Sequence, residues 1–204
     1  SLLGAEGYAG SVLVMQGHGG LAPVLEASTR AVSMIECGPV AGLIGSRYLG
    51  QLLSETNIIA VDMGGTTSKV GVIQNGILDY AREPMVNRYH YLAPKIEVSS
   101  IGAGGGSIIR LEPGSLAPIV GPQSAGSRPG PVCYGNGGTE PTLTDVMLLV
   151  GYMHPEHFLG GSIVLDGVAC RDVFDAKVAK PLGMSVEDAA FGIYRVACSQ
   201  MSDL

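Results

Sequence analysis

The sequence predicts an α/β fold, and three observations carry that reading. Two short strands of β-branched residues, Ile58–Val61 and Val70–Ile73, flank a glycine turn. A stretch rich in small residues, running from Pro39 to about Ser54, has helical spacing and delivers the chain to the first of those strands. Helical periodicity then returns in the last third, over 141–152, 167–180 and from Ser185 onward.

Taken in order, Ser11–Met15 reads as a short apolar strand ending at Gly17-His18-Gly19-Gly20, and Leu21–Ala31 as a mildly amphipathic helix. Pro39 suits the first turn of the next helix, where a missing N–H costs nothing. Ala41, Gly42, Gly45 and Ser46 form a smooth stripe along it that would admit a close neighbour. Past the hairpin, Ile77–Arg82 reads as a third antiparallel strand, 83–95 has no clear period, and Ile96–Ile101 and Ile108–Leu111 are strand-like around Gly102–Ser107. Residues 114–139 read as loop, with Gly121-Pro122, Pro129-Gly130-Pro131 and Gly137-Gly138 as turn markers. The helix after Gly167 should stop at Pro181 and Gly183. Ser185, with Asp188 three residues on, should cap the last helix, which turns Ala189, Ala190, Ile193, Val196 and Ala197 inward.

Composition narrows the function. With 15% charged and 46% apolar residues in 204, the chain is globular and long enough to bury a core. No apolar run approaches 18 residues, and the start lacks a basic segment before an apolar one, so neither a membrane span nor a signal peptide is expected. A net charge of −6 without a basic cluster argues against nucleic acid. Cys37, Cys133, Cys170 and Cys198 lie far apart with no C-x-x-C pair, which favours free thiols in a reducing cytoplasm. Glycine, at 31 residues, is about twice its usual share and gathers between 102 and 161.

The most informative segment is Asp62-Met63-Gly64-Gly65-Thr66-Thr67-Ser68-Lys69. A strand runs into an aspartate, and the turn after it has no Cβ at Gly64 or Gly65. Such a turn presents backbone N–H groups and hydroxyls in the manner of a phosphate-binding nest. Asp62, at the strand end, is placed to hold a Mg²⁺ ion through water, since Mg²⁺ takes few carboxylates beside substrate phosphates. The bland alternative is a glycine hairpin with no ligand; four successive polar residues exceed what such a turn needs and tilt the reading to phosphate.

Three signatures stand in order: Cys37–Ser46, Asp62–Lys69 and Ile101–Ile108, continued by Gly121–Tyr134 and Gly137–Asp145. Together they resemble the A subunit of the hydantoinase/oxoprolinase family, over nearly the whole chain from about residue 11. The resemblance implies an actin-like ATPase with ribonuclease-H-like lobes, in which ATP and Mg²⁺ lie between two such lobes. It makes Gly38-Pro39 the start of a connecting helix and Asp62–Lys69 the second phosphate loop. Gly38, Gly64, Gly65, Thr66, Thr67 and Lys69 would then bind the nucleotide, and Asp62 would serve metal and catalysis. It further implies residues 1–97 as the ribonuclease-H-like core, 98–160 as a glycine-rich insertion and 161–204 as a helical segment of the same lobe. The family's first phosphate loop and its later adenosine motif are not found in this sequence, which therefore resembles the middle of a longer protein. Many members carry aspartate where Lys69 stands; lysine adds a phosphate contact and removes a possible metal ligand.

By the same resemblance the parent is an ATP-dependent enzyme that hydrolyses a cyclic amide such as a hydantoin or 5-oxoproline. It would be cytoplasmic and oligomeric, with a B-type partner subunit. The alternatives are an acetone-carboxylase-like subunit that phosphorylates a ketone or bicarbonate, and an ATP-binding assembly module without turnover.

Other candidates weigh against simpler readings. Gly102–Ser107 lacks the third glycine and the downstream acid of a dinucleotide fingerprint, so a tight turn beside a cleft is the better reading. Asp145, with Thr142 and Thr144, sits where helix capping alone would explain it, and is also a candidate for catalytic, metal or substrate contact. Pro155 breaks the spacing that would converge His154 and His157 on a metal. His18 and Arg128 could touch a ligand or be solvated, and Cys133, with no base beside it, reads as a buried small hydrophobe.

Overall fold

The computed structural model describes residues 2–86 and 88–203. They form two compact units: the chain up to Asp62 with Val70–Ser99, and Met63–Lys69 with Ser100 onward. The hairpin tip thus belongs to the second unit while its strands run back into the first.

In the first unit, α1 (Leu2–Ala5) precedes an antiparallel hairpin of β1 (Leu13–Met15) and β2 (Leu21–Pro23), with Met15 opposite Leu21. The expected helix over 21–31 is therefore split. Leu21–Pro23 is used as a strand that buries Ala22, and the helix, α2 (Val24–Thr29), begins after Pro23. The long helix α3 (Cys37–Leu53) starts two residues before Pro39, which occupies its third position; an N–H is unused there as well. β3 (Ile58–Met63), β4 (Ser68–Gln74) and β5 (Ile77–Leu78) follow in sheet order β3-β4-β5.

Alternation along β3 turns Ile58 and Ala60 toward the core and leaves Ile59 and Val61 outside, 71% and 67% exposed. Val40 and Leu43 of α3 pack with Ile73, Leu78 and Ile96. Gly71 permits that approach, because a Cβ there would lie 2.7 Å from Leu43 Cδ2. The third strand is shorter than the sequence suggests: after Leu78 only Tyr80 pairs, with Ile96. The aperiodic stretch holds a two-residue-strand hairpin, β6 (Met85–Val86) with β7 (Tyr89–His90); Asn87 lies outside the described residues.

The boundary between the units falls within β8 (Ser99–Ile101), which pairs with β4, and β9 (Ser107–Leu111) lies in the second unit. β10 (Pro118–Ser124) pairs antiparallel with β9 and slips register between Val120 and Ser124. This strand lies where the sequence reads as loop. Gly121 and Pro122 sit inside it, at the irregularity, and do not end it.

α4 (Leu143–Leu149) is capped by Thr142, and Asp166 caps α5 (Gly167–Phe174) by accepting from Val168 and Ala169 N–H. The helix continues through a π turn at Asp175–Ala179 into α6 (Lys180–Leu182), so Pro181 does not stop it. In a regular helix its ring would clash with the carbonyl four residues back, and the wider turn just ahead relieves that. The stop is Gly183, at φ +65°. α7 (Val186–Ser202) has the expected Ser185 cap, and its Ala189, Ala190 and Ile193 pack on Phe174, Val178 and Val146. Among the described residues no helix is long and apolar enough to cross a membrane.

Candidate phosphate-binding site

The turn at the tip of the β3–β4 hairpin is closed by one backbone bond, from Gly64 N–H to Thr67 C=O at 2.9 Å. Its two exposed carbonyls are taken by a distant segment of the same unit. Gly105 N–H donates to Gly64 C=O at 3.0 Å, and Gly106 N–H to Gly65 C=O at 2.6 Å. The N–H groups of Gly65 and Thr66 have no partner among the described residues. The glycine run therefore biases the polarity of the turn: the Gly64 and Gly65 acceptors are tied back while the Gly65 and Thr66 donors are left free, which favours an anion.

Only glycines can dock this way. A Cβ on Gly104 would lie 2.6 Å from Gly64 O and 2.8 Å from Thr66 N, and one on Gly106 would lie 2.8 Å from Gly65 O. Gly104 is held in turn by Ser107, whose Oγ accepts the Gly104 N–H at 2.8 Å. Ser68, 1% exposed, anchors the base of the tip by donating to Ala103 C=O at 2.6 Å. Ser124 Oγ reaches Gly65 C=O and the Thr66 hydroxyl, both at 3.3 Å. A Cβ on Gly65 itself would meet nothing within 4 Å, so that residue faces open space.

The turn opens onto a cavity of about 470 Å³, lined by Gly64, Gly65 and Thr66 together with Gly105, Gly106, Gly126, Ser127, Pro131, Tyr134 and Thr144. Lys69 is half-buried and donates to Thr67 Oγ1 at 3.2 Å, which keeps its ammonium by the turn. Among the described residues it pairs with no carboxylate. Asp62 is exposed and makes no ion pair or side-chain hydrogen bond among them.

Asp145 is fully buried, 0% exposed. Its carboxylate accepts from Cys133 N–H (2.8 Å), Val132 N–H (3.2 Å), Thr142 N–H (2.8 Å) and the Thr142 hydroxyl (2.8 Å). That arrangement joins the capping box of α4 to the turn Val132–Tyr134, so Asp145 sets Thr144 and Tyr134, which line the cavity. Tyr134 is the residue sequence reasoning missed; a lone tyrosine in a glycine- and proline-rich stretch gives no periodic signal.

Cys133 and Cys170 are buried and free, and burial beside Asp145 pushes both thiols well up, which makes them inert. Gly38 is exposed in the first turn of α3, in the first unit, and no atom lies within 4 Å of where its Cβ would be; the same holds for Gly42 and Gly45 of the small-residue stripe. His154 and His157 stack at 4.5 Å, and no three potential metal ligands of the His, Cys, Asp and Glu types converge among the described residues. His18 lines a separate pocket of the first unit with Gln16, Glu26 and Arg30.

The sequence profile of the hydantoinase/oxoprolinase family matches residues 3–203. The caprolactamase subunit alpha of Pseudomonas jessenii is 44% identical over 178 residues, covering 87% of this chain and 25% of that protein. Two solved structures superpose. The nucleotide-free acetone carboxylase, from a study of ATP-dependent acetone carboxylation, gives a TM-score of 0.91 at 37% identity, covering 99% of this chain and 28% of that one. The ATP-dependent caprolactamase of Pseudomonas jessenii gives 0.77 at 41% identity, covering 96% and 28%. The chain thus spans about a quarter of the length of these relatives.

Proposed function

The chain belongs to the hydantoinase/oxoprolinase family, and on that ground we propose that the whole protein uses ATP to activate a cyclic amide for hydrolysis. The observation that carries the site is the polarity of the hairpin turn. The carbonyls of Gly64 and Gly65 are bound by Gly105 and Gly106, and the N–H groups of Gly65 and Thr66 are left without a partner among the described residues, on a turn that lines the cavity. The turn is then the second phosphate loop of an actin-like ATPase, on a lobe of ribonuclease-H type. The likeness to acetone carboxylase, which carboxylates acetone in an ATP-dependent reaction, and to the ATP-dependent caprolactamase supports that reading.

The residues present fit a nucleotide phosphate. Gly64 and Gly65 admit close approach, the Thr67 hydroxyl adds a donor, and the Lys69 ammonium has no competing carboxylate among the described residues. Asp62, exposed and unpaired, would hold Mg²⁺ through water, in the sparse protein coordination this ion accepts beside phosphates. Bound ATP would supply the phosphoryl group that makes the amide oxygen a leaving group. This chain's part is positioning and charge stabilisation, the main terms in phosphoryl transfer. Asp145, buried and saturated with hydrogen bonds, is a positioning residue in this account and does not touch metal or substrate. A B-type subunit would complete the chemistry; the caprolactamase relative is itself a subunit, alpha.

A second reading, phosphorylation of a ketone or bicarbonate, is favoured by the closer superposition on acetone carboxylase. ADP release by the full-length protein with its B-type partner, measured over lactams, 5-oxoproline, acetone and bicarbonate, separates them. Release that depends on a cyclic amide supports the first reading. Release with ketone alone overturns it in favour of the second, and no ADP release with any of them points to an assembly module.

A further inference from the structure

The phosphate reading makes no use of a cavity of about 290 Å³ in the first unit, beside the β1–β2 hairpin. It shares no lining residue with the cavity at the phosphate turn. Gln16, only 4% exposed, lines it. The backbone of Gln16 is fixed by the hairpin loop: its N–H donates to Gly20 C=O and its C=O accepts from Gly19 N–H, both at 2.9 Å. The side chain spends one N–H on Val14 C=O at 3.1 Å. Its second N–H and its amide oxygen have no partner among the described residues. Buried amides ordinarily satisfy these groups, so Gln16 keeps a donor and an acceptor unused at the cavity.

Glu26 and Arg30, both exposed, line the same cavity. An acid four residues ahead of a base would ordinarily pair with it along one face of a helix. Here α2 ends at Thr29, and Arg30 leaves helical backbone at φ −128°, ψ 52°, which takes it out of the row that Glu26 occupies. Among the described residues neither the Glu26 carboxylate nor the Arg30 guanidinium makes an ion pair or a side-chain hydrogen bond. Lys95, next to the lining residue Pro94, is already paired with Glu36. The cavity therefore offers one free negative group, one free positive group and a free amide.

A lone anion there would face Glu26 unpaired and a lone cation would face Arg30, whereas a molecule carrying both charges satisfies each. We propose that this cavity binds a small zwitterionic amino acid, its carboxylate on Arg30 and its ammonium on Glu26, with the Gln16 amide able to serve either end. The identity of that ligand rests on the cyclic-amide reading above. Hydrolysis adds water across the ring C–N bond and leaves a carboxylate and an amine on one open chain, so the product of a cyclic amide is itself an amino acid. The cavity is then a product site that differs from the phosphate cavity in every lining residue.

Titration calorimetry on the full-length protein tests this with 6-aminohexanoate and glutamate, the open chains of caprolactam and 5-oxoproline. Hexanoate and hexylamine, which carry one charge each, are the comparison. At least one of the amino acids should bind, about tenfold or more tightly than either single-charge probe. Glu26→Gln and Arg30→Gln alter exposed side chains, so the melting temperature should stay within a few degrees. Each should weaken the amino acid by about tenfold, the scale of one charge-assisted contact. Glu26→Gln should also erase the preference over hexanoate, and Arg30→Gln the preference over hexylamine. Gly65→Val, at the phosphate turn, should leave amino-acid binding intact. Absence of binding by both amino acids, binding unchanged in either charge variant, or binding lost in Gly65→Val overturns the proposal. Failure of the cyclic-amide reading shows separately, as ADP release that is indifferent to lactams and 5-oxoproline.

Discussion

Gly106 donates its N–H to the carbonyl of Gly65 across 2.6 Å, joining two turns 41 residues apart in the chain. With the parallel bond from Gly105 to Gly64, it gives the hairpin tip one polarity. Neither glycine run makes an anion site alone; the second run is what occupies the Gly64 and Gly65 acceptors of the first.

That coupling separates two glycine substitutions that look alike in sequence. Gly104→Ala would drive a methyl into the backbone of Gly64 and Thr66, both within 2.8 Å, and overpacking against backbone costs about 1–3 kcal/mol. It should displace the turn, so ATP turnover falls at least about 100-fold and the melting temperature drops by several degrees. Gly65→Ala meets no neighbour, so its melting temperature should hold while the KM for ATP rises. Thermal unfolding beside ATP kinetics on the full-length protein checks both.

Asp145→Ala would leave the N–H groups of Val132, Cys133 and Thr142 buried without an acceptor. Each orphaned donor costs about 1–3 kcal/mol, so the loss should total roughly 3–5 kcal/mol. The melting temperature should fall by about 10 °C or more. Asp145→Asn keeps an acceptor oxygen and should lose less. A variant that stays fully stable but loses turnover would restore a catalytic role to this carboxylate.

Lys69→Met tests the ammonium held beside the turn. With its ammonium held at Thr67 Oγ1 and no carboxylate partner among the described residues, the charge is available to a terminal phosphate. ATP should bind about tenfold more weakly and ADP less than about threefold, the worth of a single charge-assisted contact. Titration calorimetry of both nucleotides gives the comparison, and equal losses would make Lys69 structural.

The buried thiols predict how stability depends on pH. Burial and Asp145 raise Cys133 and Cys170 above the ordinary value of 9.0, so the folded state holds protons that the unfolded chain gives up. Their contribution is complete below pH 9 and is lost as pH rises above it. Urea midpoints should be flat from pH 7 to 8.5 and fall by pH 10, with a shallower fall in the Cys133→Ala, Cys170→Ala double variant. In native protein, thiol reagents should reach exposed Cys198 and spare Cys133 and Cys170 until denaturant is added.

How much of this is legible in the sequence depends on the range of the interaction. The hairpin, α3 and the Ser185 cap are local: β-branched runs, small-residue spacing and a hydroxyl three residues before an acid specify them without help. β10 is hidden because Gly121 and Pro122 are turn residues by propensity, and pairing with β9 overrides them. Pro181 misleads for a similar reason, since a π turn upstream accommodates it. The candidate site divides the same way. Asp62, Gly64, Gly65 and Lys69 stand together in one motif, whereas the bonds from Gly105 and Gly106, the clasp at Asp145 and the placement of Tyr134 are made by the tertiary fold, which no periodicity encodes.

The central claim is that the Gly65 and Thr66 N–H groups hold a nucleotide phosphate. The most direct measurement is a structure of the full-length protein with Mg²⁺ and a non-hydrolysable ATP analogue. The account predicts phosphate oxygens within hydrogen-bonding distance, about 2.7–3.2 Å, of both N–H groups, with the carbonyls of Gly64 and Gly65 still bound by Gly105 and Gly106. A nucleotide bound elsewhere, or bound here while those N–H groups face solvent, would contradict it.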